Sequence, residues 1–173
     1  MDLYLIRHAV AFDRDYERWP NDADRPLTPE GEDDFRLAAG GLSNVVCQVE
    51  VLLSSPYVRA WQTAKILSAD ASWPAPGIFQ ALEPDVSPHK IALALRTYAE
   101  ADSLALVGHR PSLHELAAYL LTGEGDMLNI GLKKGGAACI RFDGAPERGA
   151  GKLRWLLTPK ILRDVNCTKP RHE

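Results

Sequence analysis

A chain of 173 residues with 46% hydrophobic and 25% charged positions has the composition of one soluble domain with a sizeable core. Its formal net charge of −3 argues against a general nucleic-acid binder, which carries a basic excess. No apolar stretch is long enough to span a bilayer, and the first one ends at Arg7, so neither a leader nor a membrane partner is expected. Three cysteines, Cys47, Cys139 and Cys167, are odd in number, far apart and without a CxxC pair. That pattern predicts reduced thiols in a cytoplasmic protein, with Cys139 a buried structural thiol.

In chain order, residues 2–7 read as a short buried strand. Residues 9–27 form a long polar loop carrying Arg14, Tyr16, Arg18 and Trp19, read as plain surface. Thr28-Pro29-Glu30 starts a helix, with Thr28 as N-cap and Pro29 in the first helical position. Phe35, Ala38, Ala39 and Leu42 give it one apolar face, and Gly40-Gly41 is expected to weaken its end. A second strand covers residues 49–53, and Ser55-Pro56 caps a second helix. Residues 78–82 read as a third strand, Ser87-Pro88 as another helix start, and residues 104–107 as a fourth strand. A helix over 112–121 precedes a glycine-rich loop over 122–136, with Lys133-Lys134 read as solvated. Two strands, 137–142 and 153–157, are followed by one helical turn at Thr158-Pro159. His89 and His114 are expected to be exposed on their helices, and His172 to lie in the tail.

Strands alternating with helices predict a three-layer α/β/α sandwich around a mostly parallel sheet, with the closing pair making an antiparallel edge strand. The domain is expected to span residues 1–165, with 166–173 a polar tail.

The chemistry concentrates at three strand ends. Arg7-His8 follows the first strand, Arg59 lies in the first turn after the second, and His109 follows the fourth. Open α/β sheets place their ligands at such ends. Two imidazoles and two guanidiniums make a pocket for a tetrahedral dianion, with His8 the candidate nucleophile. Arg59 also sits in the first turn of its helix, whose free N–H groups favour an anion. Taken singly, each residue has a structural reading: a surface arginine or a satisfied core imidazole. A metal site at His8 and His109 is disfavoured, because neighbouring arginines repel a cation.

The segments Leu5-Ile6-Arg7-His8-Ala9, Ser55-Pro56-Tyr57-Val58-Arg59-Ala60 and Val107-Gly108-His109-Arg110-Pro111 resemble the histidine phosphatase superfamily. With Arg25-Pro26-Leu27-Thr28-Pro29-Glu30-Gly31 and the short chain, the likeness is to the small SixA-type phosphohistidine phosphatases. The resemblance runs to about Leu162. It implies His8 as the transiently phosphorylated nucleophile, Arg7, Arg59 and His109 as the phosphate pocket, and no metal or cofactor. The implied substrate is a phosphohistidine-containing protein, reached through an open pocket. The alternatives are a small phosphorylated substrate, or a catalytically silent phosphate-binding module. Ala9 stands where the commoner triplet has glycine. For the acidic proton donor of larger relatives the nearest candidates are Glu83 and Asp85, each equally readable as a solvated loop acid.

Overall fold

A computed structural model describes residues 1–167. Six strands form one sheet: β1 (Asp2–Arg7), β2 (Val51–Ser54), β3 (Gly77–Ile78), β4 (Ser103–Gly108), β5 (Ala137–Arg141) and β6 (Lys152–Leu157). Their spatial order is β3-β2-β4-β1-β5-β6. Strands β1 to β4 pair in parallel, and β5 runs antiparallel to both β1 and β6. The sheet is thus mostly parallel, with its antiparallel pairing at one side.

Five helices cover the sheet: α1 (Pro29–Val45), α2 (Val58–Asp70), α3 (Pro88–Leu95), α4 (Ser112–Thr122) and α5 (Pro159–Cys167). Successive strand residues point to opposite faces, which divides the core in two. Tyr4 and Ile6 of β1 join Phe35, Ala39, Ala64 and Leu67 beneath α1 and α2. Leu3 and Leu5 join Ile91, Leu95, Leu113 and Leu116 beneath α3 and α4. Each fully buried leucine of this kind contributes about 1.5–3 kcal/mol. Among the described residues no helix is long and apolar enough to cross a membrane.

Local chemistry explains the start of α1. Thr28 Oγ1 accepts from the Gly31 N–H at 2.9 Å, as an N-cap should. The second helix starts later than its Ser-Pro signal predicts. It begins at Val58 with Tyr57 as N-cap, because Ser55 is drawn into the sheet by its N–H bond to the Val107 carbonyl. The third strand keeps only Gly77–Ile78 and passes into a 3₁₀ turn at Gln80–Leu82. Nor does Gly40-Gly41 end α1, which continues for 17 residues to Val45. These glycines lie where α5 crosses. α5 itself is nine residues long rather than one turn, and takes in Asn166 and Cys167 of the expected tail. The remainder of that tail, with His172, lies outside the described residues.

A Cβ on Gly41 would stand 1.7 Å from the Leu162 carbonyl oxygen, so α1 and α5 touch backbone to backbone. An exposed helical glycine is stabilised by alanine by roughly 0.5–1 kcal/mol; here the sign reverses. Gly41→Ala is expected to cost about 1–3 kcal/mol, as overpacking does. Urea unfolding should show a lower midpoint at unchanged slope; an unchanged or raised midpoint contradicts the close approach.

Candidate active site

Strands β2, β4 and β1 are consecutive neighbours in the sheet, so the segments after their C-terminal ends are brought together. The β1–β4 register pairs Arg7 with Gly108, and the His8 N–H bonds the Gly108 carbonyl at 3.0 Å. His8 and His109 therefore stand side by side, with ring centroids 5.2 Å apart. Arg59 enters from the first turn of α2. All three are almost wholly covered, at 6% exposure for His8, 4% for Arg59 and 2% for His109. Arg7 is half-buried beside His8.

Each side chain is held by specific partners. His8 Nδ1 lies 2.7 Å from the Ala9 carbonyl oxygen. A carbonyl only accepts, so Nδ1 carries the proton and Nε2 keeps its lone pair. The Ala9 N–H donates to Thr63 Oγ1 at 3.0 Å, and that hydroxyl donates to the Arg59 carbonyl at 2.7 Å. Thr63 thus ties the His8 segment to the helix that carries Arg59. His109 Nε2 lies 2.9 Å from Ser55 Oγ, and its Nδ1 is buried without a partner. Arg7 donates from Nη1 to the Leu132 carbonyl at 3.2 Å, and its Nε is buried and unpartnered.

Arg59 binds a residue that the sequence did not single out. Its Nη1 donates to the Asp22 carbonyl at 2.8 Å and its Nη2 to Asp22 Oδ2 at 3.0 Å, while Nε stays buried and free. Asp22 also accepts from Arg25 Nε at 2.8 Å and lies 3.5 Å from Arg14. Burial raises the Asp22 pKa, but the bond from Arg25 and the charges of Arg59, Arg25 and Arg14 outweigh it and hold the carboxylate ionised. Tyr57 completes this corner. Its ring lies under the Arg59 guanidinium at 5.0 Å and meets His109 edge-on at 5.1 Å. An acid among several arginines was the visible signal for Asp22, but 37 residues separate it from Arg59 in the chain.

Desolvation dominates the electrostatics. Burial pushes the His8 pKa from 6.5 to about 3, opposed by the Ala9 hydrogen bond and reinforced by Arg59, Arg7 and Lys134. Burial, His8 and Arg59 take His109 to about 2. Both rings are neutral at pH 7. Lys134 is exposed, as expected, yet its charge reaches His8. His114 is half-buried rather than exposed, because its Nε2 lies 3.1 Å from the Leu132 carbonyl that Arg7 also bonds.

Glu83 follows the Gln80–Leu82 turn and is half-buried. Among the described residues its carboxylate has no hydrogen bond or ion pair to the four strand-end side chains. The 270 Å³ groove between α1 and α2, lined by Glu32, Arg36, Gln62 and Lys65, includes none of the four either.

Residues 3–77 match the family model of the histidine phosphatase superfamily, branch 1. An uncharacterised protein of Picosynechococcus is 41% identical over 168 residues, covering 94% of this chain and 99% of its own. The phosphohistidine phosphatase SixA of Escherichia coli is 28% identical over 167 residues, covering 94% of this chain and 97% of its own. A solved structure of the protein histidine phosphatase SixA complexed with tungstate superposes with a TM-score of 0.81 at 26% identity. It covers 94% of this chain and 99% of that one. The chain belongs to the histidine phosphatase superfamily. It is a phosphatase, and its likeness runs to the SixA-type branch.

The buried neutral imidazoles make this phosphatase acid-sensitive. The unfolded chain protonates both near pH 6.5, whereas the fold resists protonation down to about pH 3 for His8 and about 2 for His109. Below pH 6.5 the unfolded state therefore binds more protons, and stability falls as pH falls. Between pH 7.5 and 5 each ring is expected to cost about 2 kcal/mol. His8→Gln should remove about half of the loss that the pair causes. Urea midpoints at the two pH values check this; equal pH slopes in wild type and variant contradict it.

Proposed function

We propose that this phosphatase hydrolyses phosphohistidine on a partner protein in the cytoplasm. In this reading a phosphoryl group passes through His8 and no metal ion takes part. The observation that carries this reading is the 2.7 Å contact between His8 Nδ1 and the Ala9 carbonyl. It leaves Nε2 of a neutral, desolvated ring with a free lone pair, which is the requirement for a nucleophile.

In the first step His8 Nε2 attacks phosphorus as the substrate's P–N bond breaks. The departing imidazole takes the bond's electron pair and leaves neutral, because its other ring nitrogen is already protonated. In the second step water attacks phosphorus, the P–Nε2 bond breaks, and phosphate and a proton are released. His8 returns neutral, since Nδ1 has kept its proton throughout. The two bonds broken are of the same kind, so neither step needs a strong general acid.

Charge in transit spreads over the equatorial phosphoryl oxygens. The free Nε groups of Arg7 and Arg59 and the unpartnered Nδ1 of His109 are available to receive it. Two fixed guanidiniums supply the positive charge that a metal supplies elsewhere. Tungstate, which the SixA structure contains, is a tetrahedral oxyanion like phosphate.

The acids support the preference for phosphohistidine over alkyl esters. An alkoxide leaving group requires a proton donor. Asp22 is held ionised by arginines, and Glu83 has no bond to the strand-end residues.

The test pairs a phosphohistidine protein with a phosphoserine peptide as substrates. kcat/KM should favour the first by at least about a hundredfold, the scale of one catalytic proton transfer. Quenched turnover should leave acid-labile, base-stable label on His8 in wild type and none in His8→Ala. Label on Ser, Asp or Cys, or equal rates on the two substrates, contradicts the proposal.

Arg59→Lys replaces a planar fork with a point charge, so the bonds to Asp22 and the phosphoryl oxygens cannot both be kept. A loss of about 3 kcal/mol, roughly a hundredfold in kcat/KM, is expected. Near wild-type kinetics would place Arg59 outside the reaction.

A further inference from the structure

His8 and His109 touch, yet the chemistry asks opposite things of their free nitrogens. His8 must offer a lone pair to phosphorus. His109 must offer an N–H to a phosphoryl oxygen, because a lone pair there would repel it. Burial keeps both rings neutral, so His109 has one ring proton, and its position decides whether the ring helps or hinders. The Ala9 carbonyl fixes the proton of His8. Nothing so unambiguous faces His109, whose Nε2 meets a hydroxyl able both to give and to accept.

We propose that Ser55 is a positioning residue that sets the His109 tautomer, donating to Nε2 so that Nδ1 carries the proton toward the phosphoryl group. The assignment follows from accounting for every polar group around a fully buried hydroxyl. Ser55 has 0% exposure, so its proton must go to a protein acceptor. Ser55 Oγ already accepts from the Tyr57 N–H at 3.3 Å, and His109 Nε2 is its other contact, at 2.9 Å. If Nε2 carried the ring proton, the Ser55 hydroxyl would have no acceptor among the described residues. A bare Nδ1 would also be left buried without a donor. If Ser55 donates, the hydroxyl and Nε2 are both satisfied. The single group left over is the Nδ1–H, which the structure shows buried and without a partner. An incoming phosphoryl oxygen is the acceptor it lacks.

The chain reinforces this orientation. Ser55 is pinned by its N–H bond to the Val107 carbonyl at 2.9 Å, one strand position before the Gly108-His109 segment. Tyr57 supplies both the N–H that biases the hydroxyl and a ring edge against His109. The Ser-Pro-Tyr stretch, which reads in sequence as a helix cap, therefore serves the neighbouring strand end.

The kinetic part of this proposal rests on the phosphatase mechanism above; the tautomer is read in the resting enzyme and does not. Histidine-selective ¹⁵N labelling with long-range ¹H–¹⁵N correlation distinguishes Nδ1–H from Nε2–H, and the His109 signals are assigned by their loss in His109→Asn. Wild type should show Nδ1–H at His109. Ser55→Ala should lose that signature while the His8 pattern is unchanged. Hydrolysis of an aryl phosphate should then fall about a hundredfold in kcat, with KM altered far less. Ser55→Thr, which keeps the hydroxyl, should restore the tautomer and most of the rate. An Nε2–H signal in wild type overturns the proposal, and that reading needs no variant to fold. Retention of Nδ1–H in Ser55→Ala overturns it as well, as does a tautomer switch with unchanged kcat. Failure of wild type on every phosphorylated substrate would instead refute the mechanism and leave the tautomer result standing.

Discussion

The parallel pairing of β1 with β4 is the constraint on which the site depends. Its register sets Arg7 opposite Gly108 and joins the His8 N–H to the Gly108 carbonyl. Two imidazoles that are 101 positions apart, at 8 and 109 in the chain, are thereby packed ring against ring. Parallel strands end on the same side, so each strand end adds a functional group to one rim rather than to opposite edges. β2 is the other neighbour of β4, and the helix that follows it brings Arg59 to the same rim.

Burial then gives these groups their chemistry. An imidazole in water is half-protonated near pH 6.5, and a protonated ring is no nucleophile. Removing His8 from water and surrounding it with arginines makes the charged form costly. The same arginines would be expensive to bury unpaired, and Asp22 offsets part of that cost for Arg59. Asp22 takes the terminal Nη1 and Nη2 groups of the guanidinium and leaves Nε free. The counter-charge thus positions the arginine without closing it to an oxyanion. A chain of net charge −3 accordingly concentrates positive charge at these strand ends.

The backbone around Arg7-His8 is as constrained as the side chains. Gly135, at φ 72°, donates its N–H to the carbonyls of Arg7 and His8 at 3.0 and 3.1 Å, and the Arg7 N–H returns to the Gly136 carbonyl. A left-handed residue there favours glycine. The glycine-rich loop is therefore a clamp on the backbone of Arg7 and His8. Its Leu132 carbonyl also anchors Arg7.

Much of this was legible along the chain. Alternating apolar runs and helical stripes specify the strands and the layered α/β sandwich, because burial on a pleat or a helix face leaves a local period. Arg7-His8, Arg59 and His109 stand out because strand ends are where side chains meet a common crevice. Local signals failed where distant backbone competed for the same atoms. Ser55 left its helix cap for His109 and the Tyr57 N–H, and Gly41 served α5 rather than ending α1. Asp22 gave no spacing signal, since its role exists only once a loop and a helix start meet. The sequence by itself determined that Arg7, His8, Arg59 and His109 stand at strand ends and which elements carry them. Only the tertiary structure decided their charge states, proton positions and mutual orientation, because desolvation and hydrogen-bond competition depend on every neighbour at once and leave no periodic trace in the chain.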